Sequence, residues 1–497
     1  MAREIELKFE AAPGARNLIL DTGVLDGAKA RRTRQETIYF DTKSGSVRRR
    51  GFSLRIRRSG KKWVQTVKHR TDSPAGLFSR DEWEVEVRGP ELDFDAVDKT
   101  PLGRFLTPSL RKKLRPFVRT SFERTTWRLS RGASRIDVTL DEGEVAAGGS
   151  EMPIVELELE LGRGDRDALF ELAEQVGRVV PLRLGVLSKA ERGFGIADGR
   201  FDKAAKAEPV RLTGDMKVCD AFAAAAHSCL RHFRLNEPLV LARRDAPALH
   251  QARVAVRRLR SALSLFRPVI SDWEYERMRE DLRWLAGALG EARNLDVLLA
   301  RLPSRKVRRG SAAKIERARE AAYDKVLEVL DSARSRRLML DLIRWFETGG
   351  WRARRRATKP LEGFAAEQLA RRWTRVLKRS SDLAGEDAET LHRLRLDIKK
   401  LRYSAEFLSG VWADRAGQAK AKAFIDALAD LQDRLGELND AETARDLVGG
   451  LGLGARAQVA LTGGTDGDAS TSEATLAAAI DARRRLVEAA GYWTAAS

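Results

Sequence analysis

Residues 4–8 read Glu-Ile-Glu-Leu-Lys, so a charged side chain occupies every second position. Because successive side chains of a β-strand point to opposite faces, Glu4, Glu6 and Lys8 would share one face of a strand. Two carboxylates and an ammonium group on one face are costly to bury unless they pair with each other or hold a metal ion. This spacing predicts a functional charged face on the first strand.

A second acidic strand is predicted at residues 154–161, where Glu156, Glu158 and Glu160 alternate with apolar residues. Carboxylate oxygens are hard ligands that suit Mg²⁺, Mn²⁺ or Ca²⁺. The two acidic strands are therefore the candidate metal-binding elements.

Basic residues alternate in the same way on several strands predicted between these two. If the strands close into a barrel, one face of each strand lines the interior. Arginine binds phosphate oxygens through two hydrogen bonds at once, and lysine supplies a point charge. A divalent ion beside the carboxylates, together with these cations, is what phosphoryl transfer requires. The charged positions on these faces are Glu4, Glu6, Lys8, Arg55, Arg57, Glu82, Glu84, Arg124, Arg128, Asp137 and Glu156.

The alternative is an ordinary antiparallel sheet with one solvated, charged face. Acidic and basic strands that recur together favour an enclosed polar interior, but strand spacing alone leaves both interpretations open.

The periodicity changes along the chain and indicates two kinds of domain. Strand alternation with intervening glycines continues to about residue 200, and helical periodicity dominates from residue 211. We therefore predict an α+β chain in which a strand-rich antiparallel domain precedes an all-α bundle. The predicted segments are a strand-rich domain at 1–200, a linker at 201–210 and a helical domain at 211–497.

The helical half contains an internal repeat. Residues 249–260 align with residues 391–402, with identical Leu, His, Arg, Leu and Arg at matching positions. A weaker echo pairs the Leu-Gly-Glu at 289–291 with the Leu-Gly-Glu at 435–437. Two related helical units are therefore predicted to pack into one bundle.

Each repeat places basic residues along one side of a helix. At about 100° per residue, the histidine and the three basic residues of each repeat fall on one arc beside the apolar face. Such a row of cations suits a linear polyanion, and a solvated basic face is the alternative. Without clustered Cys or His nearby, the histidines favour phosphate binding over a metal site. These basic stripes are His250, Arg253, Arg257 and Arg260, and His392, Arg395, Lys399 and Arg402.

Composition narrows the setting and the partners. The net charge of +20 over 497 residues favours anionic partners. Two cysteines cannot build a disulfide framework, so we expect a reducing compartment. With no apolar run of about 18 residues and no signal-peptide core, we expect a cytoplasmic protein without a membrane partner. Nucleic acid is a weaker candidate, because the stripes lack interleaved aromatic residues for base stacking.

Residues 1–198 resemble the CYTH domain of the triphosphate tunnel metalloenzyme family. The resemblance implies an eight-stranded antiparallel barrel around a tunnel, in which triphosphates are hydrolysed with Mg²⁺ or Mn²⁺; a few members make cyclic AMP instead. It rests on residues 4–8, 39–42, 54–57, 65–68, 80–84, 124, 156–160 and 188–193.

The same resemblance implies roles for individual residues. Glu4, Glu6, Glu156 and Glu158 would hold the metal, assisted by Asp137 or Asp141. The nucleophile would be a metal-oriented water, so no Ser or Cys nucleophile is needed. Glu4, Glu6, Lys8, Arg55, Arg57 and Lys68 would be catalytic, and Arg80, Arg124, Lys189 and Arg192 would bind substrate.

The chain from residue 211 resembles a CHAD domain. The resemblance rests on the His-x-x-Arg motifs at 250–253 and 392–395 and on the basic residues after them, and Asp296 and Asp440 also resemble family positions. It implies a compact helical bundle that binds inorganic polyphosphate, and with it an association with polyphosphate granules.

The combined hypothesis is metal-dependent hydrolysis of inorganic triphosphate, or of a related triphosphate, by a barrel fused to a polyphosphate-binding bundle. The alternatives are a polyphosphate docking protein with little turnover and an adenylate cyclase-like barrel.

Overall fold

A computed structural model of the chain describes residues 4–69, 75–300, 305–383, 387–412, 414–451, 453 and 468–493. Its N-terminal part is dominated by one antiparallel sheet. The strands are β1 (Glu4–Glu10), β2 (Arg31–Asp41), β3 (Phe52–Ser59), β4 (Lys62–His69), β5 (Leu77–Val87), β6 (Arg115–Arg131), β7 (Ser134–Ala147), β8 (Ser150–Arg163) and β9 (Arg183–Leu184).

Eight of these strands close into a barrel. Their order is β5-β4-β3-β2-β6-β7-β8-β1, and an additional pairing of β1 with β5 completes the circuit. The two-residue strand β9 adds to β1 outside this circuit. The predicted antiparallel barrel is confirmed.

Alternation along the strands separates the charges from the apolar core. Leu7, Leu140, Leu157 and Leu159 have no solvent exposure, and they alternate with the charged residues of β1, β7 and β8. Because the apolar side chains pack on the outer face, the charged ones are directed into the barrel.

Helices interrupt the strand region and make up most of the chain that follows it. The predicted helical C-terminal region is confirmed. The helices are α1 (Ala15–Asp21), α2 (Phe94–Asp98), α3 (Pro108–Arg111), α4 (Asp167–Gly177), α5 (Lys189–Ala197), α6 (Val218–Arg243), α7 (Ala246–Ile270), α8 (Trp273–Ala300), α9 (Arg305–Asp331), α10 (Ala333–Thr348), α11 (Leu361–Arg379), α12 (Ala388–Leu408), α13 (Arg415–Gly450) and α14 (Asp468–Glu488). Short 3-10 helices occur at Arg48–Arg50, Gly103–Phe105 and Gly350–Ala353.

The chain folds into two compact units that do not follow sequence order. The first unit combines residues 1–206 with 230–248 and 330–348, and the second combines 207–229, 249–329 and 349–497. The first unit thus includes much of α6 and all of α10. The domain limits at 200 and 211 stay a prediction made from the sequence.

Among the helices of the described part, none is long and apolar enough to cross a membrane.

Candidate active site

The register of three neighbouring strands aligns the charged positions of the barrel interior. Residues on β7, β8 and β1 lie directly opposite one another, so each position has a neighbour on the next strand. In the order β7, β8, β1 the rows are Asp141, Glu156 and Glu10; Thr139, Glu158 and Lys8; and Asp137, Glu160 and Glu6.

Three of these carboxylates form a buried cluster. One oxygen each of Asp141, Glu156 and Glu158 lies within 4.8 Å of the other two. The ammonium group of Lys8 lies 3.2 Å from Glu156 and also pairs with Glu158. The ammonium group of Lys189 lies 2.8 Å from Asp141 and 2.9 Å from Glu158, and also pairs with Glu156. Three acids and two amines thus share one desolvated space.

The charge states of this cluster follow from its pairing. Burial opposes the charge on Lys8, but Glu156 and Glu158 outweigh it and raise the pKa of Lys8. Burial likewise opposes the charge on Glu158, but Lys189 and Lys8 hold the pKa of Glu158 well below its ordinary value. Lys8 and Glu158 are therefore ionised at neutral pH.

The donor set of the cluster fits a hard divalent cation. Its ligand atoms are carboxylate oxygens, which Mg²⁺ and Mn²⁺ prefer. The Oε2 atom of Glu156 is buried and has no hydrogen-bond partner. A buried acceptor of this kind is costly unless something binds it, and a cation would satisfy it.

The two aspartates that the sequence left open lie in different surroundings. Asp141 is fully buried within the cluster, where Arg124 contacts it. Asp137 lies beside a separate cavity lined by Arg135 and Glu160, and its carboxylate pairs with Arg128 at 3.2 Å. The geometry therefore favours Asp141 over Asp137 as the aspartate that accompanies Glu156 and Glu158.

Across the interior, β3, β4 and β5 form a predominantly basic wall. Arg55 lies 3.3 Å from Glu82, Lys68 lies 2.9 Å from Glu82, and Arg57 lies 3.1 Å from Glu84. The Nε atom of Arg55 is buried without a hydrogen-bond partner. This nitrogen is therefore a donor available to an anion that enters the barrel.

One cavity brings both walls together. Most of the predicted catalytic residues, two predicted substrate-binding residues and two predicted metal ligands, Glu6 and Glu158, line it. The lining comprises Glu6, Lys8, Gln35, Thr37, Tyr39, Ser53, Arg55, Arg57, Lys68, Phe122, Arg124, Glu158, Glu160, Ser188, Lys189 and Ala190.

Two predicted site residues can be described only by their backbone. Glu4 on β1 pairs with Arg80 on β5 where these strands close the barrel. Their side chains lie outside the described residues, so their roles as metal and substrate ligands stay predictions.

Helix α5 brings Lys189 to the cluster. Ser188 caps this helix: its hydroxyl accepts a hydrogen bond from the Glu191 amide, while the Glu191 carboxylate accepts one from the Ser188 amide. A Cβ atom at Gly193 would lie 2.1 Å from Val118 of β6, so the glycine allows the helix to pack closely against the barrel. This cap and close packing explain the Ser-Lys-Ala-Glu-Arg-Gly sequence of residues 188–193.

Arg192 belongs to a second buried network beneath the cavity. It pairs with Glu10, which also contacts Arg234 of α6 at 3.1 Å. Arg231 of α6 contacts Glu191 at 2.9 Å. The structure therefore holds Arg192 among protein carboxylates, and its contact with substrate stays a prediction.

In the second unit, the arginines of the two His-x-x-Arg motifs lie against equivalent glycines. Arg253 donates a hydrogen bond to the Gly290 carbonyl oxygen at 3.0 Å. A Cβ atom at Gly436 would lie 3.1 Å from a guanidinium nitrogen of Arg395. The Leu-Gly-Glu echo of the sequence thus marks the place where each helix approaches its arginine.

The remaining stripe residues have individual surroundings. Arg257 donates a 2.7 Å hydrogen bond to the Tyr403 hydroxyl, and Arg402 donates one to Gln432 at 3.1 Å. Burial, together with Arg293, Arg257 and Arg253, lowers the pKa of His250. The side chains of Arg260 and His392 are exposed, and Lys399 is partly buried.

The sequence analysis gave no site role to several residues of the cavity. Tyr39 faces Arg55 across β2 and β3; burial opposes its ionisation, but Arg55 outweighs this and lowers the pKa of Tyr39. Gln35 and Thr37 share its face. The alternation of polar residues at 35, 37 and 39 was the available signal, but uncharged side chains do not stand out from an ordinary half-exposed strand.

Comparison with known proteins agrees with this division into barrel and helices. Residues 2–194 match the CYTH domain family, and residues 224–449 match the CHAD domain family. The chain therefore belongs to the proteins that carry a CYTH domain followed by a CHAD domain.

Individual relatives cover different parts of the chain. An inorganic triphosphatase from Haemophilus influenzae is 29% identical over 163 residues, which are 33% of this chain and 46% of the relative. The chain thus matches less than half the length of that protein. An uncharacterized Mycobacterium tuberculosis protein is 28% identical over 433 residues, 80% of each chain. The solved CHAD domain of Ricinus communis is 28% identical, with a TM-score of 0.46, over 59% of this chain and 97% of that one.

Proposed function

We propose that the barrel hydrolyses inorganic triphosphate, or a related triphosphate, with a bound divalent ion such as Mg²⁺ or Mn²⁺. One observation carries this proposal: a buried cluster of three carboxylates reaches, through Glu158, a cavity that Arg55, Arg57 and Lys68 also line. Phosphate binding alone would be weakened by such a cluster, because carboxylates repel phosphate. The arrangement is useful where a cation bridges the two.

In this proposal Asp141, Glu156 and Glu158 hold the ion, with Glu4 and Glu6 on β1 as further candidate ligands. The bound ion would neutralise phosphate charge and orient the attacking water. Arg55, Arg57 and Lys68 would bind the phosphate oxygens from the opposite wall, and the unpartnered Nε atom of Arg55 supports this role. Arg124 and Lys189 contact the acidic cluster and line the same cavity as the basic wall, so they would bind phosphate oxygens between the two.

Hydrolysis would form a bond between the water oxygen and a terminal phosphorus and break a phosphoanhydride bond. The products are orthophosphate and diphosphate. Positively charged side chains that are fixed before the substrate arrives would stabilise the charge that develops on the oxygens.

We further propose that the helical region binds inorganic polyphosphate through its two basic stripes. The supporting observation is that both His-x-x-Arg arginines are held in equivalent places, beside Gly290 and Gly436. The ligand would be a phosphoanhydride chain, the same chemical class as the substrate of the barrel. Tethering such chains would raise their concentration near the barrel.

The test is the release of orthophosphate by the purified protein from inorganic triphosphate, ATP, thiamine triphosphate and long polyphosphate, each with Mg²⁺ and with Mn²⁺. We expect hydrolysis of at least one triphosphate, and we expect excess chelator to abolish it. Full activity in chelator would contradict the metal assignment. Absence of turnover with retained polyphosphate binding would favour the docking protein, and cyclic AMP formation from ATP would favour the cyclase.

A further inference from the structure

A cavity in the second unit, distinct from the basic stripes, is lined mainly by cations. Its volume is about 650 Å³, within the range of sites that bind small molecules. Its lining residues are Ser264, Arg267, Pro268, Ser271, Arg354, Arg371, Arg372, Arg375 and Lys400.

Arg372 forms the buried side of this cavity. Its exposed fraction is 7%, and its Nε atom is buried without a hydrogen-bond partner. One of its terminal nitrogens lies 3.4 Å from the Ser264 hydroxyl. A buried guanidinium with an unpartnered N–H is costly unless an acceptor binds it.

The other cations stand around Arg372. Arg267, Arg354, Arg371, Arg375 and Lys400 are all exposed. Arg354 is fixed in place, because it donates hydrogen bonds to the carbonyl oxygens of residues 269 and 271 at 2.8 and 2.9 Å. This geometry places a rigid donor at the mouth of the cavity.

The nearby acidic group does not compensate this charge. No carboxylate from the described part of the chain lines the cavity. Asp397 is buried beside it, lies 3.5 Å from Lys400 and pairs with Arg379. Burial, with Arg371 and Arg375, lowers the pKa of Arg372 to about 10 despite Asp397. The cations repel one another, and a bound anion would relieve that repulsion.

We propose that this cavity is a binding site for a compact phosphate anion, diphosphate or triphosphate. Arginines at several angles around a buried one match an anion whose oxygens point in several directions, since guanidinium groups bind phosphate oxygens in pairs. The site does not depend on hydrolysis in the barrel or on the basic stripes.

The test uses hydrogen exchange of helix α11 in the full-length protein, because this local measurement is insensitive to anion binding in the barrel. We expect diphosphate, in chelator and at constant ionic strength, to slow exchange over residues 361–379. The variant Arg371→Ala/Arg375→Ala should raise the diphosphate concentration at the midpoint of this protection by at least about tenfold. These side chains are exposed, so their removal tests binding with less risk to folding than replacement of Arg372.

The matched control is Arg317→Ala/Arg393→Ala, which removes two exposed arginines outside the cavity lining. This control makes the same change in net charge but leaves the cavity lining intact. The midpoint of protection should therefore stay within about twofold. Equal weakening by both variants would show that the effect depends only on net charge, and it would overturn the proposed site. Absence of protection by diphosphate and triphosphate would overturn it too. Protection by long polyphosphate alone would show an extended track rather than a compact site.

Discussion

Arg124 binds the Asp141 carboxylate through one edge of its guanidinium group: Nε donates to Oδ1 at 2.7 Å, and Nη2 donates to Oδ2 at 2.6 Å. The same Nη2 lies 3.0 Å from Glu158. Asp141 is fully buried, so its position is fixed by this pair and by Lys189. A carboxylate oriented in this way is ready to contribute to an ion site without rearranging first.

The two aspartates of β7 provide a matched test of the metal site. Asp141→Asn should lower divalent-ion affinity and triphosphate hydrolysis by at least about 100-fold, because it removes a charge from the buried cluster. Asp137→Asn changes the same strand face four residues away, outside the cluster, and should change both by less than about threefold. Ion binding is measured by calorimetry and hydrolysis by phosphate release. The opposite ranking would assign the ligand to Asp137.

The double variant Arg253→Ala/Arg395→Ala should weaken polyphosphate binding by at least about tenfold, more strongly at low salt, because two charge-assisted contacts are lost. Arg317→Ala/Arg393→Ala removes two exposed arginines outside the stripes and serves as the control. Binding is measured by calorimetry at two ionic strengths. Triphosphate hydrolysis, assayed in parallel, reports whether the barrel is intact. Equal losses in both variants would point to another surface.

Polyphosphate binding should be coupled to protonation of His250. Its pKa is lowered in the free protein, by burial and then by Arg293, Arg257 and Arg253, so the imidazole is neutral at pH 7. A bound polyanion would offset those charges and raise the pKa, so binding should take up a proton and be tighter at pH 6 than at pH 8. Calorimetry in buffers of different ionisation enthalpy measures this uptake. His250→Gln should remove its contribution and His69→Gln should not; unchanged uptake in His250→Gln would refute the coupling.

The ion pair between Glu10 and Arg234 should make the free energy of unfolding depend on pH in the acidic range. Burial opposes the charge of Glu10, but Arg192 and Arg234 outweigh it and lower the pKa of Glu10 below its ordinary 4.5. The stabilisation is therefore complete above about pH 4.5 and is lost as the pH falls through the lower pKa of the folded state.

Glu10→Gln should lower the free energy of unfolding at pH 7 by about 2–3 kcal/mol, because among the described residues the buried Arg234 then keeps only Glu237 as an ion-pair partner. It should also flatten the fall in stability below pH 4.5. Urea unfolding at several pH values measures both effects. Glu171→Gln, an exposed site on α4, is the control. An unchanged acid slope in Glu10→Gln would show that the pair does not stabilise the protein.

Alternation on β1 and β8 predicted strands with charged and apolar residues on opposite faces. Closure required the long-range pairing of β1 with β5, which alternation does not encode but the family resemblance implied. The choice between Asp137 and Asp141 could not be made from spacing, because both occupy the same face of β7. The register with β8 separates them by placing Asp141 beside Glu156 and Asp137 beside Glu160.

The cationic cavity escaped sequence reasoning for a different reason. In a chain rich in arginine, the sequence pattern does not distinguish the helix that carries Arg371, Arg372 and Arg375 from other basic helices. Their convergence with Arg267 and Arg354 depends on how three separate segments pack, and no local period reports that.

The division of the chain into interleaved units has a consequence for protein synthesis. Residues 230–248 and 330–348 are grouped with the barrel, although they are translated long after its last strand. Arg231 and Arg234 cannot reach Glu191 and Glu10 until α6 has left the ribosome, and the segment up to residue 348 emerges later still. The barrel of the nascent chain therefore stays incompletely covered until the segment that ends at residue 348 has been synthesised.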